Sequence, residues 1–350
     1  MKRTRKRKTG AVIALLGIAV AAMTVVCLMV GSSGMSPWRC VAALFGSGTA
    51  AEVRIMRFIR LPRVLAALVA GAGLSLSGLM MQTTLNNPMA SPSTLGVSNA
   101  AVFGANLSII AFAGGFLETG RNPSAFSAGA NPFATGVFAF LFSAFSVLLI
   151  LALCRLRSFS PGVVVLSGIA VGSVWSAATT VLHFYATDVG LSAAVIWSFG
   201  DLSRATFRTD AIMFAALLAA VVFSSVCAWH FNALLSGEAT ALTLGVNVSA
   251  LRFGALLISS LVTAVCVSFL GIIGFVGIIC PHVTKKLLGQ DHRVSVPASA
   301  LTGSLLLLCA DALARSIGSG SALPVGAVTA LLGAPFFVAV IFTERRRSDA

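Results

Sequence analysis

Residues able to carry out acid–base, nucleophilic or metal chemistry are few in this chain of 350 residues, and they do not cluster. The four histidines stand at positions 183, 230, 282 and 292, all near the ends of apolar segments. The seven cysteines contain no CxxC pair, a pattern that indicates neither a metal site nor a disulfide framework. An enzyme working within such segments would need a serine–histidine or metal-binding constellation. We therefore predict no catalytic residue, no metal site and no cofactor.

The sequence also lacks the motif that binds nucleotide phosphates. GxxxxGK[ST] does not occur, and no glycine is followed directly by lysine. In P-loop ATPases the glycine-rich backbone cradles the phosphates and the lysine reaches them. Any ATP that drives this protein must therefore be hydrolysed by another polypeptide.

Arginine is concentrated in one place. Arg54, Arg57, Arg60 and Arg63 recur every third residue at the start of an apolar segment, and Arg315 stands at the end of a later one. An arginine near a membrane surface can extend its charged end toward water, which accounts for one or two of these residues. Five arginines with few acidic neighbours repel one another, so we expect this basic patch to have a further role.

The composition indicates an all-α integral membrane protein. Apolar residues make up 57% of the chain and charged residues 10%, whereas a soluble domain carries about 25% charge. Between the charged clusters lie apolar stretches of about 17–25 residues, the length that a helix needs to cross a bilayer. The net charge of +14 would suggest nucleic acid in a soluble protein. Membrane proteins concentrate Lys and Arg in cytoplasmic loops, so we predict membrane lipid and no nucleic acid as a partner.

About ten transmembrane helices are predicted, with both termini in the cytoplasm. Residues 1–10 would form a basic cytoplasmic tail, 11–342 a single transmembrane domain and 343–350 a second cytoplasmic tail. In this topology spans 2–5 start outside and spans 7–10 start inside, which predicts two inverted four-helix units. The predicted spans cover 11–31, 62–81, 93–113, 133–153, 162–184, 209–229, 250–271, 274–288, 296–313 and 324–342.

Two predicted cytoplasmic segments differ from ordinary loops. Residues 82–98 contain two prolines and a run of amide and hydroxyl side chains, so either an ordinary loop or a pore constriction fits them. Residues 232–248 contain no Lys or Arg and are rich in Leu and Ala. Apolar surface in a loop that faces water marks a partner site, although a helix lying flat on the bilayer also fits.

Five segments, in this order, resemble the FecCD-type permease family of ABC importers for iron–siderophore complexes, haem and cobalamin. The likeness runs from about residue 55 to 342. Pro161-Gly162 departs from it, because members often have polar residues there. The matching stretches are RLPR at 60–63, NNPMASPSTLGVS at 86–98, SGEATALTLGV at 236–246, GIIGFVGIICPH at 271–282 with DHR at 291–293, and LPVGAVTALLGAPFF at 323–337.

The resemblance implies an ABC importer permease fold and three kinds of protein partner. These are cytoplasmic ATPase subunits, an extracytoplasmic substrate-binding protein and a second permease, either an identical or a related chain, with the path at the subunit interface. It also implies that arginines receive glutamates of the binding protein. The implied docking residues are Arg60, Arg63 and Arg315.

A gate and an ATPase contact are expected at the cytoplasmic side. The gate is predicted at Asn87 and Met89, with Ser160, Pro161 and Gly162 nearby. The 232–248 loop is predicted to enter a groove of the ATPase. The residues predicted to make this contact are Leu234, Gly237, Glu238, Ala239, Leu244 and Gly245.

The expected function is the pore subunit of an importer in the bacterial cytoplasmic (inner) membrane, not an enzyme, with an iron–siderophore complex as cargo. Haem and cobalamin remain alternatives within the same family. A transporter driven by protons or sodium is a further alternative, but it would need ionisable groups near the bilayer midplane. By the predicted spans no acidic residue lies there, since Asp311 falls toward an outer end with Arg315 four residues later.

Overall fold

The computed structural model describes residues 2–31, 34–112, 131–157, 160–317 and 323–348. These residues form an all-helical protein. An isolated bridge joins Phe199 and Ile272. All seven cysteines are free thiols.

Fifteen α-helices are seen in the described part of the chain, and several are extended by short turns of other helix types. A π-helical turn at Ile55–Arg60 joins α3 to α4, and another at Ser108–Phe112 prolongs α5. The helices are α1 (Lys2–Met29), α2 (Pro37–Leu44), α3 (Ala50–Arg54), α4 (Leu61–Thr84), α5 (Val97–Leu107), α6 (Pro132–Arg157), α7 (Pro161–Phe184), α8 (Asp188–Ser198), α9 (Phe207–Val226), α10 (Ala228–Leu235), α11 (Glu238–Thr243), α12 (Val248–Leu270), α13 (Val276–Leu288), α14 (His292–Ile317) and α15 (Val325–Ser348).

Seven helices in the described ranges are long and apolar enough to cross a membrane. Three further apolar helices are shorter, at Val97–Phe112, Asp188–Ser198 and Val325–Phe336. The predicted span 274–288 coincides with α13, whose 13 residues rise roughly 20 Å, less than the thickness of the hydrocarbon core. The membrane-protein class is confirmed, whereas the count of ten spans, the inverted units and the domain boundaries stay predictions. The predicted basic tail at 1–10 is continuous with α1, which begins at Lys2.

Helix α4 lies at the centre of the bundle, packed against α9, α12, α13 and α14. Small residues make this possible, because a glycine lets two backbones approach closely in the absence of water. A Cβ atom on Gly71 would overlap the Gly303 carbonyl of α14, and one on Gly78 would overlap the Gly277 carbonyl of α13. Ser75 adds a hydrogen bond of 2.7 Å to the Ser299 oxygen of α14.

The two ends of α4 define the two ends of the bundle. The arginine end contains the start of α4 and the last turns of α1 and α14. The loop end contains the end of α4, the start of α7 and the segment between α9 and α12. The sequence predicts that the arginine end faces outward and the loop end faces the cytoplasm.

Candidate functional site

A fully buried carboxylate organises the arginine end. Asp311 in α14 has 0% side-chain exposure, and its Oδ1 accepts a hydrogen bond of 2.7 Å from Nε of Arg63. Its Oδ2 lies 2.7 Å from Nη2 of Arg315, one helical turn later. A charge away from water is tolerated when it is paired, and here one carboxylate pairs with two guanidinium groups. The cluster thereby joins α4 to α14.

Two arginines also hold the end of α1. The last carbonyls of a helix have no partner within it and carry partial negative charge, which a cation stabilises. Arginines from α14 and from the turn before α4 supply donors to these carbonyls. The bonds run from Arg60 Nη1 to the oxygens of Leu28 (2.7 Å) and Met29 (3.0 Å), and from Arg315 Nη1 to those of Cys27 (2.9 Å) and Val30 (2.7 Å).

The predicted docking residues are therefore enclosed by the protein in this conformation. Arg60, Arg63 and Arg315 are buried among helix ends, while Arg54 and Arg57 are exposed at the same end. A docking role for the three buried arginines stays a prediction. Their packing role went unrecognised in the sequence, where only the four-residue spacing of Asp311 and Arg315 hinted at it.

Three of the predicted gate residues line one groove at the loop end. Asn87 lies on one side and Pro161 and Gly162 on the other, in an open groove of about 480 Å³. Apolar side chains of α7, including Val165 and Ile169, complete it. Ser160 begins α7 as its N-cap, accepting a 3.5 Å hydrogen bond from the next turn of the helix. The 85–88 turn and the start of α7 thus line one groove, and the gate role of these residues stays a prediction.

Met89 does not face this groove. It lines a small cavity with Pro88, Phe275 and Phe336. The turn between the two sites is tight, because Asn86 has a φ of +44° and Asn87 Oδ1 accepts a hydrogen bond of 2.9 Å from the Met89 amide. Asn87 and Met89 therefore line two different sites, the groove and the small cavity.

The segment between α9 and α12 presents a short exposed helix. Gly237 and Gly245 have φ values of +106° and +80°, which only glycine adopts readily, and they bracket α11. Within it Glu238 and Ala239 are exposed, as is Leu244 just beyond. Leu234 is the exception among the predicted ATPase contacts, because it is buried in the helical core. Its apolar side chain packs inward from α10 in this conformation, and its contact with the ATPase stays a prediction.

A polar network joins α10 to the last turn of α4. His292 is fully buried at the start of α14, and its Nε2 lies 3.0 Å from Oγ1 of Thr83. Its backbone N–H donates to Oδ1 of Asn232 at 2.8 Å, and its Nδ1 lies 3.1 Å from the same oxygen. Sequence reasoning predicted His292 as a residue near a span end but did not find these partners.

Asp291 extends the network to the surface of the loop end. Burial raises the pKa of its carboxyl, but hydrogen bonds from the Asn232 amide (2.8 Å) and the Arg293 backbone (3.0 Å) outweigh burial. The pKa of Asp291 therefore lies below its usual value.

The family model of the FecCD transport family matches residues 9–343. A protein of Methanocaldococcus jannaschii, described provisionally as an ABC transporter permease protein, is 40% identical over 98% of this chain and 97% of its own. A cobalamin import permease of Halobacterium salinarum is 37% identical over 93% of this chain and 88% of its own. An iron(III)-citrate import permease of Bacillus subtilis is 32% identical over 99% of this chain and 100% of its own.

A solved structure resembles this one over nearly its whole length. It is a transporter described as of the metal-chelate ABC type, in an inward-facing conformation. The TM-score is 0.78 at 27% identity, and the match covers 95% of this chain and 99% of that chain. The fold and the family match thus agree on one class of membrane protein.

Proposed function

Because the chain belongs to the FecCD transport family of ABC importer permeases, we propose that it forms the transmembrane pathway for an iron–siderophore complex. The observation that carries the cargo class is the full-length match to a permease named for an iron(III) chelate. Haem and cobalamin are the competing cargoes within the family, and the cobalamin permease is somewhat more similar in sequence. The cargo therefore has to be decided by transport.

The proposed assembly contains a pair of permease chains, ATPase subunits and a substrate-binding protein. Two copies of this permease, or this chain and a related one, enclose the pathway between them. ATPase subunits attach at the loop end, and a substrate-binding protein delivers cargo at the arginine end. The absence of a P-loop sequence supports a separate ATPase. The proposed location is the bacterial cytoplasmic membrane, with both termini in the cytoplasm.

The proposed gate is the groove between Asn87 and the start of α7. Its support is the open space between the 85–88 turn and Pro161-Gly162, where helix ends rather than packed helix faces meet. Short side chains at such breaks can separate without disrupting a packed core. Met89 contributes indirectly, by seating the other side of the turn against Phe275 and Phe336.

The proposed ATPase contact is the exposed surface of α11 and the residues just after it. Leu242 and Leu244 are about half exposed there, at 57% and 51%. Exposed leucines on a short helix bracketed by glycines fit a groove in a partner better than they fit water. Gly237, Glu238, Ala239 and Gly245 belong to the same surface.

The proposed docking surface for the binding protein is the arginine end. Arg54 and Arg57 are exposed there and can meet carboxylates on approach. Arg60, Arg63 and Arg315 lie beneath and add to the positive potential. Direct contact of these three with partner glutamates would require them to leave the α1 carbonyls or Asp311.

Uptake by a strain lacking this chain tests the proposal. The deletion strain is given labelled ferric siderophore, haem or cobalamin in separate arms, with and without a plasmid that restores the chain. Restored uptake of ferric siderophore alone supports the proposed cargo. Restored uptake of haem or cobalamin instead assigns the cargo to that compound and contradicts the proposal.

A further inference from the structure

Arg252 joins the exposed helix α11 to the end of α4. Its Nη1 and Nη2 donate to the two carboxylate oxygens of Glu238 at 3.2 and 2.7 Å. Its Nε donates to the backbone oxygen of Thr84 at 3.1 Å. The Arg252 side chain is only 7% exposed, whereas that of Glu238 is 52% exposed. One buried guanidinium therefore contacts both the partner-facing surface and the helix that leads to the groove.

The chemistry of the three groups makes this connection rigid. A guanidinium and a carboxylate that share two parallel hydrogen bonds cannot rotate independently. The Thr84 carbonyl belongs to the last turn of α4, where unpaired oxygens carry partial negative charge. Arg252 thus binds two negatively polarised acceptors, the Glu238 carboxylate on α11 and the Thr84 carbonyl on α4, and fixes the distance between them. A lysine at this position would keep the positive charge but could not form the two parallel hydrogen bonds of the guanidinium group.

Thr84 lies just before the turn that leads to the groove. Two residues later the chain turns at Asn86 and then presents Asn87 to the groove opposite Pro161. A displacement of the Thr84 carbonyl is passed to this turn through two peptide units, which are planar and stiff.

A second connection runs in parallel on the other side of Gly237. Asn232 of α10 binds His292, which in turn contacts Thr83. The last turn of α4 is therefore tied to the α10–α11 segment both before and after Gly237, whose φ of +106° permits a sharp change of direction. The His292 side chain is fully buried, whereas the Arg252 connection reaches the half-exposed side chain of Glu238 within α11 itself.

We propose that Arg252 is the positioning residue that passes movement of the ATPase-contact surface at α11 to the groove at Asn87. The proposal rests on the proposed ATPase contact. When the ATPase moves α11, Glu238 carries the Arg252 fork with it, and the Thr84 carbonyl follows. A purely structural anchor would instead hold α11 still and leave the groove unchanged during ATP hydrolysis.

The test follows the groove directly and needs no cargo. Asn87→Cys is introduced into the full chain, which is purified with its ATPase subunits, and labelling by a thiol reagent is timed with and without ATP. The parent chain without Asn87→Cys supplies the background from the seven native cysteines. We expect the labelling rate at position 87 to change with ATP. In the same protein with Arg252→Lys, the ATP-dependent part should fall about 10-fold, a typical size for coupling between two sites.

Two further variants keep the result interpretable. Glu238→Gln retains the shape but removes the charge, and it should also reduce the ATP-dependent change. Exchange of the pair (Glu238→Arg with Arg252→Glu) keeps the ion pair but leaves the Thr84 carbonyl without its donor, so it should not restore the change. The matched control is Arg293→Lys, an exposed arginine at the same end, which should leave the change intact. A full ATP-dependent change in Arg252→Lys would overturn the proposal.

ATPase binding separates this proposal from the one on which it rests. We expect Arg252→Lys to bind the ATPase within about twofold of the unaltered chain and Ala239→Arg to bind it poorly. If Ala239→Arg binds normally, the ATPase contact itself is wrong. If Ala239→Arg fails to bind while Arg252→Lys keeps the full labelling change, only the role of Arg252 is wrong. Loss of ATPase binding in Arg252→Lys would make the residue a docking anchor and would also overturn the proposal.

Discussion

The arginine end and the loop end use the same chemistry with opposite exposure. In each, a buried arginine joins a carboxylate to the carbonyls at the end of a helix, Arg315 at α1 and Arg252 at α4. The carboxylate at the arginine end is Asp311, with 0% exposure, and the one at the loop end is Glu238, with 52%. A fully enclosed ion cluster fixes its helices, whereas a half-exposed pair can be moved by a partner. We infer that the first end is a static clamp and the second a movable connection.

The largest effect should follow loss of the enclosed carboxylate. Asp311→Asn leaves Arg63 and Arg315 buried without a counter-charge, which costs about 3–5 kcal/mol. We expect a marked loss of folded, monodisperse protein by size-exclusion chromatography and a lower unfolding temperature in detergent. Asp188→Asn, an exposed aspartate at the start of α8, is the control. Equal stability of the two variants would mean that Asp311 does not clamp the helices.

The next largest effect concerns the exposed surface of the loop end. Ala239→Arg places a charge where the ATPase groove should exclude water, at a cost of about 2 kcal/mol or more, or roughly 30-fold in affinity. The permease should remain folded, because Ala239 is exposed. Pull-down of the ATPase measures the loss, with Ser192→Arg at an exposed position of α8 as the control. Unchanged binding of Ala239→Arg would place the ATPase elsewhere.

A smaller effect separates exposed from enclosed arginines at the other end. Arg57→Glu should weaken binding-protein docking roughly two- to fivefold, because an exposed pair contributes about 0.2–1 kcal/mol. Its stability should change little, since the hydrogen bond of Arg57 to the Leu44 carbonyl is exposed. Arg60→Glu should weaken docking and also lower stability, since it removes donors to the α1 carbonyls. Affinity measured at rising salt concentration should fall for the unaltered chain. If neither change alters docking or its salt dependence, the patch is only a membrane-surface feature.

The smallest effect is a dependence on pH at the loop end. The pKa of Asp291 is lower in the folded protein than its ordinary value of 3.8. Such a group stabilises the fold above that ordinary value, and the contribution is lost as the pH falls through the lowered pKa. Unfolding temperatures between pH 6 and pH 3 should therefore decline slightly more for the unaltered chain than for Asp291→Asn. The same decline in both would exclude the residue from the network.

Much of the architecture could be predicted because helices that cross a lipid bilayer need long apolar segments, which are easily seen in the sequence. Long apolar segments marked the helices, and prolines with polar side chains marked the break at 82–98. That Asn87 and Pro161-Gly162 line one groove could also be predicted, since both lie at span ends on one side. The direction in which each side chain points could not be predicted. Leu234 was therefore assigned to the exposed surface, although its side chain packs inward.

Contacts between residues far apart in the sequence could not be predicted. Arg63 and Asp311 are separated by 248 residues, and Arg252 and Thr84 by 168. Neither separation leaves a periodic signal, because the contact depends on how the helices cross. The sequence therefore suggested that the whole basic patch at 54–63 lies on the surface. In the structure two of its four arginines, Arg60 and Arg63, are buried and bind other helices.

Reconstitution of transport tests the central claim most directly. The permease is placed in liposomes with its ATPase subunits and binding protein, and entry of radiolabelled ferric siderophore is followed. We expect uptake with ATP, none with a non-hydrolysable analogue, and none when a proton or sodium gradient replaces ATP. Uptake driven by an ion gradient without ATP would contradict the account.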